Sequence, residues 1–136
     1  MKKLVFVMCS LVIAVALVVP SFFIIGNAEN DYEKTYERFT YIQNYRGSIS
    51  KGLISTSVYA EISGKENVTS VKIKMELQKE SSGSYSTIET WEQTFSGRNG
   101  SISESKLTNP LSTYRLKATV TAYSGSNSES KTFYEY

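Results

Sequence analysis

The chain has no histidine, one cysteine (Cys9), one aspartate (Asp31), two prolines and one tryptophan in 136 residues. Each scarcity removes a class of chemistry. Without histidine, and with its one thiol inside an N-terminal apolar run, the chain lacks Ser-His-Asp and Cys-His nucleophile systems, the usual zinc sites and haem ligation. A lone aspartate leaves no Asp-rich calcium loop, and no glycine-rich phosphate loop is present. No cofactor is expected. Beyond residue 28 nothing can form a disulfide, so the remaining domain must be held by packing.

Long apolar runs are equally scarce, with one exception. Leu4 to Ile25 is 22 residues of nearly unbroken hydrophobic sequence, preceded by Lys2 and Lys3 and closed by Gly26-Asn27-Ala28. A basic start, an apolar stretch and small residues at the −3 and −1 positions are the marks of a secretory signal. The run also reaches the roughly 20 residues needed to cross a bilayer. Residues 1–28 therefore read as a signal helix, either a cleaved signal peptide or an uncleaved signal anchor, with the remainder outside in both cases. Pro20 and the polar Asn27 to Asn30 favour cleavage. Cys9 follows Phe6-Val7-Met8 rather than the small-residue lead-in of a lipid-modified cysteine, so it reads as an ordinary signal residue. The expected location is secreted or extracytoplasmic; the alternative is the outer face of the cytoplasmic membrane, anchored by residues 4–25. Membrane contact is expected only through that segment, if it is uncleaved.

Removing residues 1–28 leaves 108 residues, one domain large enough for a single core. It also removes Lys2 and Lys3 from 15 Lys and Arg, leaving 13 against 13 Asp and Glu. With no net positive charge and no Lys/Arg stripe, nucleic acid is not an expected partner.

Residues 29–37 are a polar lead-in, and after them period-two alternation dominates. Phe39, Tyr41 and Tyr45 suggest a first strand ending at an Arg46-Gly47-Ser48 turn. Ile54, Thr56, Val58, Ala60 and Ile62 predict a second with one inward face. Val71, Ile73, Met75 and Leu77 alternate with Lys72, Lys74, Glu76 and Gln78, the pattern of a half-buried antiparallel strand. Ser81 to Ser84 predicts a turn into Tyr85, Thr87, Trp91 and Phe95, with Ile88 out of phase and a β-bulge near Glu89 to restore it. Gly97-Arg98-Asn99-Gly100 predicts a tight hairpin, since Asn-Gly tolerates positive φ. Ile102 to Leu107, Tyr114 to Ala122 and a last strand carrying Phe133 complete the pattern. About seven short strands without helical period predict an all-β, antiparallel two-sheet sandwich over residues 38–136.

Leu111 to Tyr123, with a tyrosine opening the penultimate strand and a Ser/Gly/Asn turn after it, resembles the tyrosine corner and F-G hairpin of fibronectin type III and other immunoglobulin-like domains. A wider pattern runs from Tyr41-Ile42 through Leu77-Gln78-Lys79, Tyr85, Trp91 and Tyr114-Arg115-Leu116 to Ala122-Tyr123-Ser124-Gly125 and Glu129. It resembles an uncharacterised family of short secreted proteins from Gram-positive bacteria, a domain of unknown function. That resemblance implies export and an immunoglobulin-like sandwich, and no activity.

What remains for catalysis is sparse. Glu89 and Glu92 flank Trp91, but odd spacing on a strand puts them on opposite faces. Three Ser-x-x-Lys matches, Ser48 to Lys51, Ser103 to Lys106 and Ser128 to Lys131, need a helix turn to bring Ser and Lys together. The domain reads as non-catalytic. Its tyrosines offer flat faces with a hydroxyl tip, suited to sugar rings or protein interfaces. By phase, Tyr41, Tyr114, Trp91 and Phe95 belong to the core, whereas Tyr123, Tyr134 and Tyr136 face outward. Tyr123 and Tyr134, as neighbours on the final hairpin, would form with Tyr136 a candidate binding patch. Lys131 and Glu135 read as edge-protecting charges. The expected function is an interaction module for wall polymer, glycan or protein. The alternative is a secreted effector, an inhibitor or antagonist of another cell or enzyme.

Overall fold

The computed structural model describes residues 38–136; the expected signal segment and lead-in, residues 1–37, lie outside the described residues. Arg38–Tyr136 is one compact unit. Its strands are β1 (Ile42–Lys51), β2 (Ser55–Gly64), β3 (Ser70–Ser81), β4 (Ser84–Ser96), β5 (Asn99–Leu107), β6 (Tyr114–Ser124) and β7 (Asn127–Glu135). They pair antiparallel into a three-stranded sheet of order β1-β2-β5 and a four-stranded sheet of order β4-β3-β6-β7. The fold is the expected all-β sandwich. Among the described residues every strand and the core cluster lie within this unit, which has a core of its own on which to fold.

Alternation explains the core directly. On β3, Val71, Ile73, Met75 and Leu77 are fully buried, and on β6 their register partners are Ala122, Val120, Ala118 and Leu116, also fully buried. Large residues of one strand thus lie beside mostly smaller ones of the next, keeping the inner surface level. Val58, Ala60 and Ile62 of β2, with Ile42 of β1 and Ile102 of β5, supply the buried residues of the three-stranded sheet. Each large aliphatic buried in this way contributes roughly 1.5–3 kcal/mol. Among the described residues one polar residue, Thr56, is fully buried, and it pairs its hydroxyl with that of Thr108 at 2.8 Å.

The sandwich has two open sides, and each is closed by an aromatic ring seated on a glycine. On the β1/β7 side, Phe133 lies over Gly47, where an added Cβ would stand 2.7 Å from Cε2 of the ring. Tyr45 packs on Phe133 with centroids 5.0 Å apart, and Phe39 meets Tyr45 edge-on at 5.8 Å. On the β4/β5 side, Phe95 occupies the space a side chain at Gly100 would need.

These two contacts account for two departures from the sequence reading. Arg46-Gly47-Ser48 is not a turn: β1 runs through it, paired with Tyr59, Ala60 and Glu61, because Gly47 is required beneath Phe133. The strand begins at Ile42 rather than at Phe39. Asn99-Gly100 is not a hairpin tip either, since β4 and β5 belong to different sheets and Gly100 sits in β5 opposite Ile62. Gly97, at φ 89°, makes the change of direction instead. The predicted turn at Ser82-Gly83 is a two-residue hairpin loop with both φ positive, 53° and 78°. Ile54 lies outside β2 and is exposed, so the buried face starts at Thr56.

A carboxylate fastens the chain entry. Glu129 of β7 accepts the backbone N–H groups of Thr40, Tyr41 and Ile42 at 2.8, 2.7 and 2.9 Å. Partial burial pushes its pKa up. The N–H donors of Ile42, Thr40 and Tyr41, with Lys65 nearby, outweigh that and hold the carboxyl below its ordinary value.

Two expectations follow. Gly47→Ala should destabilise the domain by about 1–3 kcal/mol, and the loss should shrink in a Phe133→Ala background, as urea midpoints of the four-member cycle would show. Because the folded Glu129 titrates below the unfolded carboxyl, its contribution is complete above about pH 4.3 and is lost as pH falls through the folded value. Glu129→Gln should therefore cost stability at neutral pH and flatten the acid limb of the stability profile; an unchanged acid limb would remove the clasp from the account.

Candidate functional site

The structure separates the residues that catalysis would need together. Glu89 faces the inter-sheet side, opposite Leu77, and pairs with Lys106 of β5 at 2.6 Å, which lowers its pKa. Glu92 lies opposite Lys74 on the outer face and pairs with Lys72 at 2.8 Å. The Ser-Lys pairs at 48/51, 103/106 and 128/131 all lie within strands β1, β5 and β7, where a spacing of three places the two side chains on opposite faces. Among the described residues no group of three or more His, Cys, Asp or Glu could hold a metal ion.

The outward tyrosines do not form the patch expected of them. Tyr123 pairs with Ser128 at one end of the final hairpin, whereas Tyr134 pairs with Lys117 toward the other, so they are not neighbours. The tight turn at Gly125 sets that register. Tyr134 and Tyr136 instead converge with Tyr85 on Arg115. The guanidinium Cζ lies 3.9 Å from the Tyr85 centroid and 4.6 Å from that of Tyr134. Its Nη1 donates to Tyr136 Oη at 3.3 Å and its Nε to Gln78 Oε1 at 2.8 Å.

Sequence reasoning missed Tyr85 and Arg115 for one reason. Between Leu77/Glu89 and Gln78/Thr87 the β3/β4 register slips, leaving Ile88 as the extra residue of a bulge. The bulge falls where phase demanded it, yet its consequence is larger. Tyr85 and Thr87 are turned to the outer face, opposite to Trp91 and Phe95, with which they share phase in the sequence. The cation lies over one face of Tyr85 and one face of Tyr134, and Tyr85 and Tyr136 meet edge-on at 6.3 Å. The arrangement clamps the C-terminal strand to β4 and β6 through two ring faces and one hydroxyl.

The more open site is elsewhere. Asn44 of β1, Glu61 and Ser63 of β2 and Asn99 and Ser101 of β5 line a depression of about 430 Å³, with Ile62, Phe95 and Gly100 completing its wall. Strand register places Asn44, Ser63 and Asn99 in one row, with Arg46, Glu61 and Ser101 in the next. Ser63 Oγ donates to Asn99 Oδ1 at 2.8 Å.

Charge in that depression is settled internally. Glu61 accepts from the Tyr59 hydroxyl, and Arg46 Nε reaches its other oxygen at 2.6 Å. The Tyr59 hydrogen bond, opposed by partial burial and aided by Arg46, holds Glu61 below the usual carboxylate range; the same bond raises the Tyr59 pKa. The rest of this outer face is hydroxylic, with Ser48, Ser50, Ser57, Ser103 and Ser105 in the following rows. The site can therefore exchange many neutral hydrogen bonds, and it holds no activated nucleophile.

Compared with protein-family models, curated proteins and solved structures, the chain matches none of them.

The clamp makes a stability prediction. Arg115→Lys keeps the charge but loses the planar stacking and the forked donors, so it should destabilise nearly as much as Arg115→Ala, by roughly 1–2 kcal/mol. Tyr123→Ala should stay within about 0.5 kcal/mol of the parent. Denaturant unfolding of the three variants checks the order.

Proposed function

We propose that residues 38–136 are a non-catalytic, exported binding module of the immunoglobulin-like kind, whose ligand is an uncharged polyhydroxylic polymer of the wall-glycan class. The single observation that carries this reading is the depression between β1, β2 and β5. There two carboxamides and two hydroxyls converge beside an ion pair that cancels its own charge. Its volume, about 430 Å³, is within the usual range for small-ligand sites. The serine rows beyond it give an extended chain a hydrogen-bonding track along the sheet.

Export is supported by Lys2, Lys3, the Leu4 to Ile25 run and Gly26-Asn27-Ala28. The immunoglobulin-like kinship is supported by the three-plus-four sheet order and by Tyr114. Its ring is buried at the start of the penultimate strand, and its hydroxyl oxygen accepts the Asn109 N–H at 3.1 Å. The resemblance to secreted Gram-positive proteins rests on the sequence pattern from Tyr41-Ile42 through Leu77-Gln78-Lys79, Tyr85, Trp91 and Tyr114-Arg115-Leu116 to Ala122-Tyr123-Ser124-Gly125 and Glu129.

The test is retention of residues 29–136 on purified Gram-positive cell wall and on a panel of insoluble polysaccharides, at low and moderate salt. Retention on one polymer should resist salt, because the recognition is neutral. Asn44→Ala with Asn99→Ala should weaken it about ten- to thirtyfold, from two lost hydrogen bonds of roughly 1 kcal/mol each. Tyr134→Ala with Tyr136→Ala should leave it nearly intact. Equal retention by the parent and the Asn44/Asn99 variant would remove the depression as the ligand seat.

A further inference from the structure

One end of the sandwich displays aliphatic side chains that the core does not use. Leu53 and Ile54 occupy the β1–β2 turn, Leu107 ends β5, and Leu111 stands in the loop before β6; they are 86%, 72%, 77% and 92% exposed. Lys51, Thr56 and Lys106 form one row across β1, β2 and β5, so all three segments emerge at the same end.

This exposure is built in rather than incidental to loose loops. The Thr108 N–H donates to Ile54 O at 3.0 Å, Lys51 Nζ to Ser112 O at 3.2 Å, and the Gly52 N–H to Ser55 O at 2.7 Å. Leu111 N–H bonds Asn109 Oδ1 at 2.9 Å. The neighbouring sheet face carries serine at position after position, which makes four large aliphatics at its end a sharp change of chemistry.

We propose that this end docks on a lipid bilayer, with Leu53, Ile54, Leu107 and Leu111 entering the boundary between headgroups and acyl chains. Size argues for lipid over a folded partner. Four such side chains present on the order of 100 Å² each, about half of the roughly 800 Å² per partner that a standard protein interface buries. Residue type argues the same way, since protein hot spots favour Trp, Tyr and Arg and are poor in Leu. A fluid medium closes around protruding side chains, whereas a protein needs a matching pocket for each. Tyr136, 76% exposed at the same end, is suited to the headgroup level.

Charge adds little attraction. Lys51, Lys79, Lys106 and Arg115 at this end stand with Glu80, Glu89 and Glu135, and Glu89 pairs with Lys106 at 2.6 Å, so with charges of both signs present docking rests on apolar insertion rather than on a polybasic patch. This adds a second membrane contact to the one expected of residues 4–25, and it is independent of the polar depression.

The test uses residues 29–136, which lack the N-terminal apolar run, in flotation with vesicles of phosphatidylcholine alone and of phosphatidylcholine with phosphatidylglycerol. The parent should float with both, at low and high salt. Leu53→Ser with Ile54→Ser, and separately Leu107→Ser with Leu111→Ser, should each lower the vesicle-bound fraction about tenfold or more while thermal unfolding stays unchanged. No flotation of the parent, equal flotation of either folded variant, or flotation only on anionic vesicles and lost in salt would overturn the proposal. So would a concentration-dependent dimer, seen by sedimentation, that the same substitutions abolish.

Discussion

The pairing of β3 with β6 is the constraint on which the rest of this structure depends. Their inward rows are fully buried, Leu77 beside Leu116, Met75 beside Ala118, Ile73 beside Val120 and Val71 beside Ala122. A slip of one residue would turn Lys72, Lys74 and Glu76 into the core and expose the aliphatics. The register is therefore tightly specified. Both neighbours inherit it: β4 pairs on one side of β3 and β7 on the far side of β6, and the short sheet packs over the face that results.

A sandwich without disulfides must also close its sides, and here shape does that work. Phe133 over Gly47 and Phe95 over Gly100 are the same device used twice, an inward aromatic accepted because the opposite strand has no side chain at that point. Glu129 adds a polar fastening, three backbone donors on one carboxylate, which ties the first residues of the unit to its last strand. With interior and sides occupied by packing, the outer faces and the ends are what the fold leaves for recognition.

Those surfaces are chemically distinct. The outer face of the three-stranded sheet is neutral and hydroxylic around a depression; the outer face of the four-stranded sheet is charged and threaded by ion pairs at Glu76 and Glu92, with Arg115 clamped between tyrosines. One end carries four exposed aliphatics. The proposed polymer-binding face beside the proposed lipid-docking end would suit a protein working where a wall meets a membrane. The two features lie on separate residues and can be altered separately.

By itself the sequence determined the strand count, the all-β class, the inward rows of β2, β3 and β6, the Ser82-Gly83 hairpin and the need for a bulge in β4. All of these follow from period-two alternation and from local turn chemistry, which are properties of consecutive residues. Only the tertiary structure decided which strands pair across the two sheets, and so which distant residues share a surface. Gly47 and Gly100 look like turn formers until the rings above them are known, because a glycine needed for close approach is written the same way as one needed for positive φ. The bulge at Ile88 turned Tyr85 outward to meet Arg115, and the register of β7 parted Tyr123 from Tyr134. The row of Asn44, Ser63 and Asn99 joins three strands that alternation places on a face but cannot place side by side. Neighbourhood across strands is set by long-range pairing and packing, and residue order alone does not encode it in any local pattern.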